Sequence, residues 1–126
     1  VSARPTMKGA FGDPPPLPPG VHAQYLAPFP DPASRAATWA YARALLGSRE
    51  WFDRLWKRRE RLRDLPVLIL WGMKDPALGE PALVRLQSAF ARPEVVRLPD
   101  VGHFPPEEAP DRLAMLIGGF LDRDGQ

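Results

Sequence analysis

Apolar and polar positions change their rhythm twice along this chain. From about residue 34 to 64 the apolar residues recur at helical spacing, and two helices are predicted. The first runs from a Ser34 cap to about Leu46, with Trp39, Ala42, Leu45 and Leu46 near one face. Gly47 ends it and Ser48 can cap the second, roughly Arg49–Arg63, whose stripe is Trp51, Phe52, Leu55, Trp56 and Leu62. The rhythm then gives way to a continuous apolar run, 66-PVLILWG-72, bounded by Pro66 and Gly72. Strands buried on both faces read this way, and such burial is typical of parallel sheets. Helical spacing returns over residues 80–91, with Leu83, Leu86 and Phe90 inward. The run 94-EVVRL-98 is a second strand, and residues 107–122 form a last helix with Leu113, Leu116, Ile117, Phe120 and Leu121 available for burial. Strand, helix, strand, helix predicts part of a parallel α/β sheet.

The start of the chain follows another rule. Nine of the 17 prolines fall within residues 1–32. Proline lacks the backbone donor and fixes φ, so 13-DPPPLPPG-20 predicts neither helix nor central strand. Residues 1–33 are read as extended chain and turns, held down by Phe11, Val21, Tyr25, Leu26 and Phe29. Three segments result: a Pro-rich extended cap or linker (1–33), a helical segment (34–64) and an α/β part (65–126).

Composition narrows the function classes. With 126 residues, 44% hydrophobic and 25% charged, the chain is one globular domain's worth. It has no cysteine, which excludes disulfide and thiolate chemistry and is compatible with the cytoplasmic location expected for it. A net charge of +2 gives no case for nucleic acid. The basic run 57-KRRERLR-63 is interleaved with Glu50, Asp53, Glu60 and Asp64, so it reads as a solvated helix face. No apolar run reaches the roughly 18 residues of a membrane span. The opening VSARPTMKGAFG has neither the apolar core of a signal peptide nor an initiator Met, so the native start is expected elsewhere.

Candidate chemistry sits where the strands end. In an open parallel sheet, functional groups gather beyond the carboxyl ends of the strands. Asp75 lies just beyond the first strand, in WGMKDP, and His103 lies in the loop beyond the second. If the strands are neighbours, both loops share one edge. An aspartate there can fix the tautomer of an imidazole and leave its other nitrogen free as a base. Each residue also has a plainer reading: Asp75 as the turn residue of an Asp-Pro step, His103 as a packing or capping histidine.

The stretches 67-VLILWGMKDP-76 and 98-LPDVGHFPPEEAPDRL-113 resemble the last two strand–loop units of the α/β-hydrolase fold. The resemblance implies that Asp75 is the acid and His103 the base of a nucleophile–His–acid triad. Upstream, 25-YLAPFPDPASRAATWAYARAL-45 resembles the cap of haloalkane dehalogenases and their epoxide-hydrolase relatives. The implied fold is the C-terminal portion of an α/β-hydrolase, parallel strands with flanking helices, preceded by a helical cap segment. The departures are a missing G-x-S-x-G elbow and a missing HG-type oxyanion loop. None of Ser2, Ser34, Ser48 or Ser88 occupies a strand-to-helix turn, so no nucleophile is expected within this chain. Some dehalogenases carry a proline near the halide where this chain has Ala42, which leaves the leaving group open. The implied activity is haloalkane-dehalogenase-like hydrolysis, inactive without the N-terminal half. The alternatives are an epoxide hydrolase or serine esterase fragment, or a non-catalytic subunit that binds a partner. Neither a metal nor a cofactor is expected. The expected partners are a small hydrophobic substrate and the missing half or a second copy of the chain. Phe29, Trp39, Tyr41 and Phe104 are candidate pocket residues.

Overall fold

A computed structural model describes residues 9–12 and 18–124. Residues 13–17, the centre of the proline run, lie outside the described residues. Residues Leu17–Arg61 form one compact unit. The described part of residues 62–126, with residues 9–12, forms a second.

The first unit is helical. The extended reading of residues 1–33 is corrected by α1 (Pro19–Leu26). Pro19 occupies the first helical position, where the missing N–H has no intrahelical partner to lose and the fixed φ suits the helix. Helix α2 (Pro32–Gly47) starts a little earlier than predicted, because its cap is Asp31 rather than Ser34. The Asp31 carboxylate accepts the Ser34 N–H at 2.8 Å, and the Ser34 hydroxyl accepts the Asp31 N–H at 3.3 Å. This reciprocal pair is a capping box with serine in the third position. The single helix predicted over residues 49–63 is instead α3 (Arg49–Lys57) followed by a 3-10 helix (Arg59–Leu62). At the break, the Arg59 guanidinium lies over the Trp56 ring at 4.7 Å from its centre and donates to the Trp56 carbonyl at 2.8 Å. The apolar stripe of this segment lies largely in the open: Trp51, Phe52, Leu55 and Leu62 are exposed, with Trp56 half-buried.

The second unit has the predicted parallel α/β order. Strand β1 (Leu68–Gly72) pairs in parallel with β2 (Glu94–Leu98), in a register that sets Gly72 opposite Leu98. Both carboxyl ends therefore open at one edge of the sheet. Helix α4 (Glu80–Gln87) connects them and buries Leu83 completely. It stops short of the predicted residue 91. The Ser88 hydroxyl donates to the Arg85 carbonyl at 2.7 Å, and Ala89 and Phe90 continue in tight turns. The last predicted helix is two: α5 (Pro105–Glu108) and α6 (Pro110–Asp124). Pro110 has no N–H to give to α5, so the chain must restart there.

Leu98, Val101 and Leu113 form the centre of the core, with Leu70, Val96, Ala109 and Leu116 packed against them. Burial of β1 is less than predicted: Ile69 and Gly72 are buried, while Leu68, Leu70 and Trp71 are half-buried. Of the residues available for burial on α6, Ile117 and Leu121 are exposed. Among the described residues, no helix is long and apolar enough to cross a membrane.

The core position of Leu98, fully buried, makes it a sensitive probe. Leu98→Ala is expected to cost about 2–5 kcal/mol in urea unfolding, from lost transfer energy and the residual cavity. Leu46→Ala, at a side chain 88% exposed, is expected to stay within about 0.5 kcal/mol.

Candidate active site

The acid loop begins where β1 ends. Gly72 accepts the Asp75 N–H through its carbonyl at 3.4 Å, so the chain turns at once. Asp75 Oδ1 then accepts the N–H groups of Ala77 and Leu78 at 2.8 and 3.0 Å, holding the Asp-Pro turn. The far end is tied back to the strand, because the Trp71 indole N–H donates to the Leu78 carbonyl at 3.0 Å. An Arg97–Glu80 ion pair at 2.8 Å links the start of α4 to β2. The turn reading of Asp75 is therefore correct for one of its oxygens.

The other oxygen meets the histidine. Asp75 Oδ2 lies 2.7 Å from His103 Nδ1. The Asp75 side chain is only 8% exposed, while that of His103 is 37% exposed. Burial pushes the Asp75 carboxyl up. The His103 hydrogen bond, the Ala77 and Leu78 amides and the His103 charge together outweigh it and hold the group below its ordinary value of 3.8. Near neutral pH Asp75 is thus a carboxylate, which only accepts hydrogen bonds. Nδ1 must then carry the proton, and in the neutral ring Nε2 holds the free lone pair. An imidazole oriented in this way has the geometry that general-base chemistry requires.

The two loops are also bonded to each other. The Met73 N–H donates to the Leu98 carbonyl and the Lys74 N–H to that of Val101, both at 2.9 Å. Their approach leaves no room for side chains: a Cβ on Gly72 would overlap the Gly102 carbonyl, and one on Gly102 would overlap Ala10 and Gly12. The His103 N–H donates to the Ala10 carbonyl at 2.7 Å. Phe104 sets its ring edge-on to His103 at 5.1 Å and packs against Phe11 at 5.2 Å.

Sequence reasoning missed one residue here. Glu108, at the end of α5, accepts the N–H groups of Gly12 and Gly102 at 2.8 Å and of Phe104 at 3.0 Å. The available signal was a carboxylate five residues past the histidine, behind a proline pair that starts a helical turn. Of the other candidate residues, Phe104 lies in the histidine loop. Phe29 follows α1, and Trp39 and Tyr41 lie on α2, all three exposed. Among the described residues, no three His, Asp or Glu side chains gather to hold a metal.

An acid and a histidine, brought together beyond the paired carboxyl ends of parallel strands, define a site of the α/β class. The chain belongs to the alpha/beta hydrolase family, whose model matches residues 2–116. The two strands and their helices are accordingly part of an α/β-hydrolase fold. Curated relatives include "Haloalkane dehalogenase 2" of Mycobacterium tuberculosis and of Mycobacterium bovis, each 35% identical over 99 residues. The match covers 77% of this chain and 35% of each relative. The chain thus spans about a third of the length of these relatives. A solved structure described as a membrane phospholipase A, a bacterial virulence factor, superposes with a TM-score of 0.66 at 27% identity. That similarity covers 94% of this chain and 36% of the other.

The Asp75–His103 pair gives a pH signature. A carboxyl whose folded pKa is depressed contributes stability that is fully present above its unfolded value. That contribution is lost as pH falls through the folded value. In a carbon NMR titration, the Asp75 carboxyl is expected to have its midpoint below 3.8. His103→Phe removes a lowering influence and leaves the burial, so the midpoint should move up. An unmoved midpoint would mean that the two side chains do not pair in solution.

Proposed function

We propose that this chain supplies the acid and the base of a nucleophile–His–acid triad in a cap-bearing hydrolase with haloalkane-dehalogenase-type chemistry. The observation that carries the reading is the 2.7 Å contact between Asp75 Oδ2 and His103 Nδ1 at the ends of paired parallel strands. The curated relatives' names support the dehalogenase type. In this reading the nucleophile is an aspartate outside residues 1–126, and the helical unit serves as cap. The nucleophile's carboxylate attacks the halogen-bearing carbon, a C–O bond forms, and halide leaves with the electron pair of the C–halogen bond. His103 Nε2 then takes a proton from water, and the resulting hydroxide attacks the carbonyl carbon of the ester. The imidazolium returns its proton to the departing alkoxide, which leaves as the alcohol, and the carboxylic acid so formed releases its proton to solvent to regenerate the carboxylate; Asp75 balances the imidazolium charge between the two transfers at His103.

A second reading, an esterase with a serine nucleophile, is favoured by the similarity to the phospholipase A structure over nearly the whole chain. In it, His103 first deprotonates the serine hydroxyl. An epoxide hydrolase would follow the aspartate route, with ring opening in place of halide release.

Residues 1–126 alone are expected to turn over neither haloalkanes, epoxides nor simple esters. Activity should return when the chain is joined to, or co-expressed with, the N-terminal half that this reading assigns to the same hydrolase. In that joined enzyme His103→Phe distinguishes the routes. An aspartate nucleophile is ionised already and attacks without a base. Halide should then appear in a burst of about one equivalent per site, with the alkyl group retained on the protein in mass spectra. A serine nucleophile needs the base from the outset, so neither burst nor adduct should form. Asp75→Asn should slow either route by up to about 10⁴-fold, the scale of a wrong-tautomer loss in a serine-protease triad. Normal turnover by the His103→Phe enzyme would remove His103 from the mechanism.

A further inference from the structure

Three consecutive backbone donors, the N–H groups of Gly102, His103 and Phe104, lie past the end of β2 and outside the strand ladder. All three are nevertheless bound. His103 gives its N–H to the Ala10 carbonyl at 2.7 Å. The donors on either side go to one side chain: Gly102 to Glu108 Oε2 at 2.8 Å and Phe104 to Glu108 Oε1 at 3.0 Å. The same Oε2 also accepts the Gly12 N–H at 2.8 Å, from the segment that holds Ala10. A single carboxylate thus grips the histidine loop on both sides of His103 and grips the strip of chain against which that loop lies.

The chemistry of the partners selects the side chain. All three are donors, and an ionised carboxylate is a pure acceptor with two oxygens to share among them. A glutamine in either orientation would turn its NH₂ toward at least one N–H. An alanine would leave three partly buried donors without their acceptor, at a desolvation cost for each. The backbone supplies the reach. Both Glu107 and Glu108 donate their N–H groups to the Phe104 carbonyl, so α5 curls tightly and returns the Glu108 side chain to the loop it has just left.

We infer that Glu108 is a positioning residue of this site, whose grip on Gly102 and Phe104 holds the His103 ring at bonding distance from Asp75. The inference rests on the acid–base role proposed for that pair. Glu108 holds backbone N–H groups rather than the imidazole or the Asp75 carboxylate, and its effect passes through the backbone of the loop. A purely structural carboxylate would change global stability and leave the imidazole–carboxylate bond of the folded molecules as it was. A positioning carboxylate must change that bond in molecules that remain folded.

The test uses the 126-residue chain and nitrogen-resolved NMR, which needs no turnover. The wild-type His103 Nδ1–H resonance is identified by its loss in His103→Phe, which leaves only the His22 ring signals. In Glu108→Gln, with the amide signals of Leu83 and Leu98 unmoved, that resonance is expected to broaden and shift. Amide exchange at Gly102, His103 and Phe104 should accelerate about tenfold or more, the scale of one lost hydrogen bond. Asp122→Asn, a charge removed from exposed α6, should change neither reading. If Glu108→Gln does not fold, Glu108→Asp decides. It keeps both acceptor oxygens with a shorter reach, and should shift both readings in the same direction by less. An unchanged Nδ1–H resonance with unchanged exchange, in whichever variant folds, overturns the positioning role alone. An Nδ1–H resonance indifferent to Asp75→Asn overturns the acid–base pairing, and the positioning role with it.

Discussion

Backbone meets backbone, without side chains between, where the two strands end, and much of the second unit follows from that contact. Gly72 closes β1 against the Gly102 carbonyl, while Gly102 in turn lies against Ala10 and Gly12. Each of these glycines stands where a Cβ would collide with main-chain atoms, which cannot move aside as a flexible side chain can. The close approach lets Met73 and Lys74 reach the carbonyls of Leu98 and Val101. It therefore brings the acid loop alongside the histidine loop. The short Asp75–His103 bond is a result of this packing, with the carboxylate's remaining oxygen spent on holding its own turn.

The elements legible in the sequence were those with one strong local signal. The run VLILWG announces a strand because nothing polar interrupts it, and Pro66 and Gly72 bound it. Asp75 and His103 were legible because strand ends in a parallel sheet are few and both residues follow one. What the sequence concealed depends on competition between local and distant partners. Ser34 has the chemistry of a cap, but Asp31 has the better position and takes its N–H. Residues 107–122 have an unbroken helical rhythm, yet Pro110 lacks the donor that would carry the helix through. Pro19 was read as a barrier, although at a first helical position it is a support. Glu108 was hidden for a different reason. Its partners are backbone N–H groups, one of them 96 residues away, and backbone donors leave no mark in side-chain patterns.

The two units differ in what holds them. In the second, Leu83, Leu98 and Val101 are closed off from solvent, and the core is continuous from the sheet to α6. In the first, none of the three helices has a buried residue, and Trp39 and Tyr41 are 65% and 67% exposed. Its helices rest on local devices: the capping box of α2, the proline start of α1 and the Arg59–Trp56 stack. An aromatic surface of this kind is a feature of sequence rhythm without being a core. That is why a helical stripe predicts the helix more safely than it predicts burial.

The one-turn helix α5 has an effect on how the site can change over time. Among the described residues, the bonds that tie the Asp75 and His103 loops to each other and to their neighbours join residues 71–108 and 10–12. In the triad reading proposed above, these bonds are complete without the nucleophile, and acid and base form a preassembled module. Exchange of one attacking residue for another across a lineage would require a new elbow but no redesign of this module. A single architecture could in this way serve hydrolases whose first chemical steps have little in common.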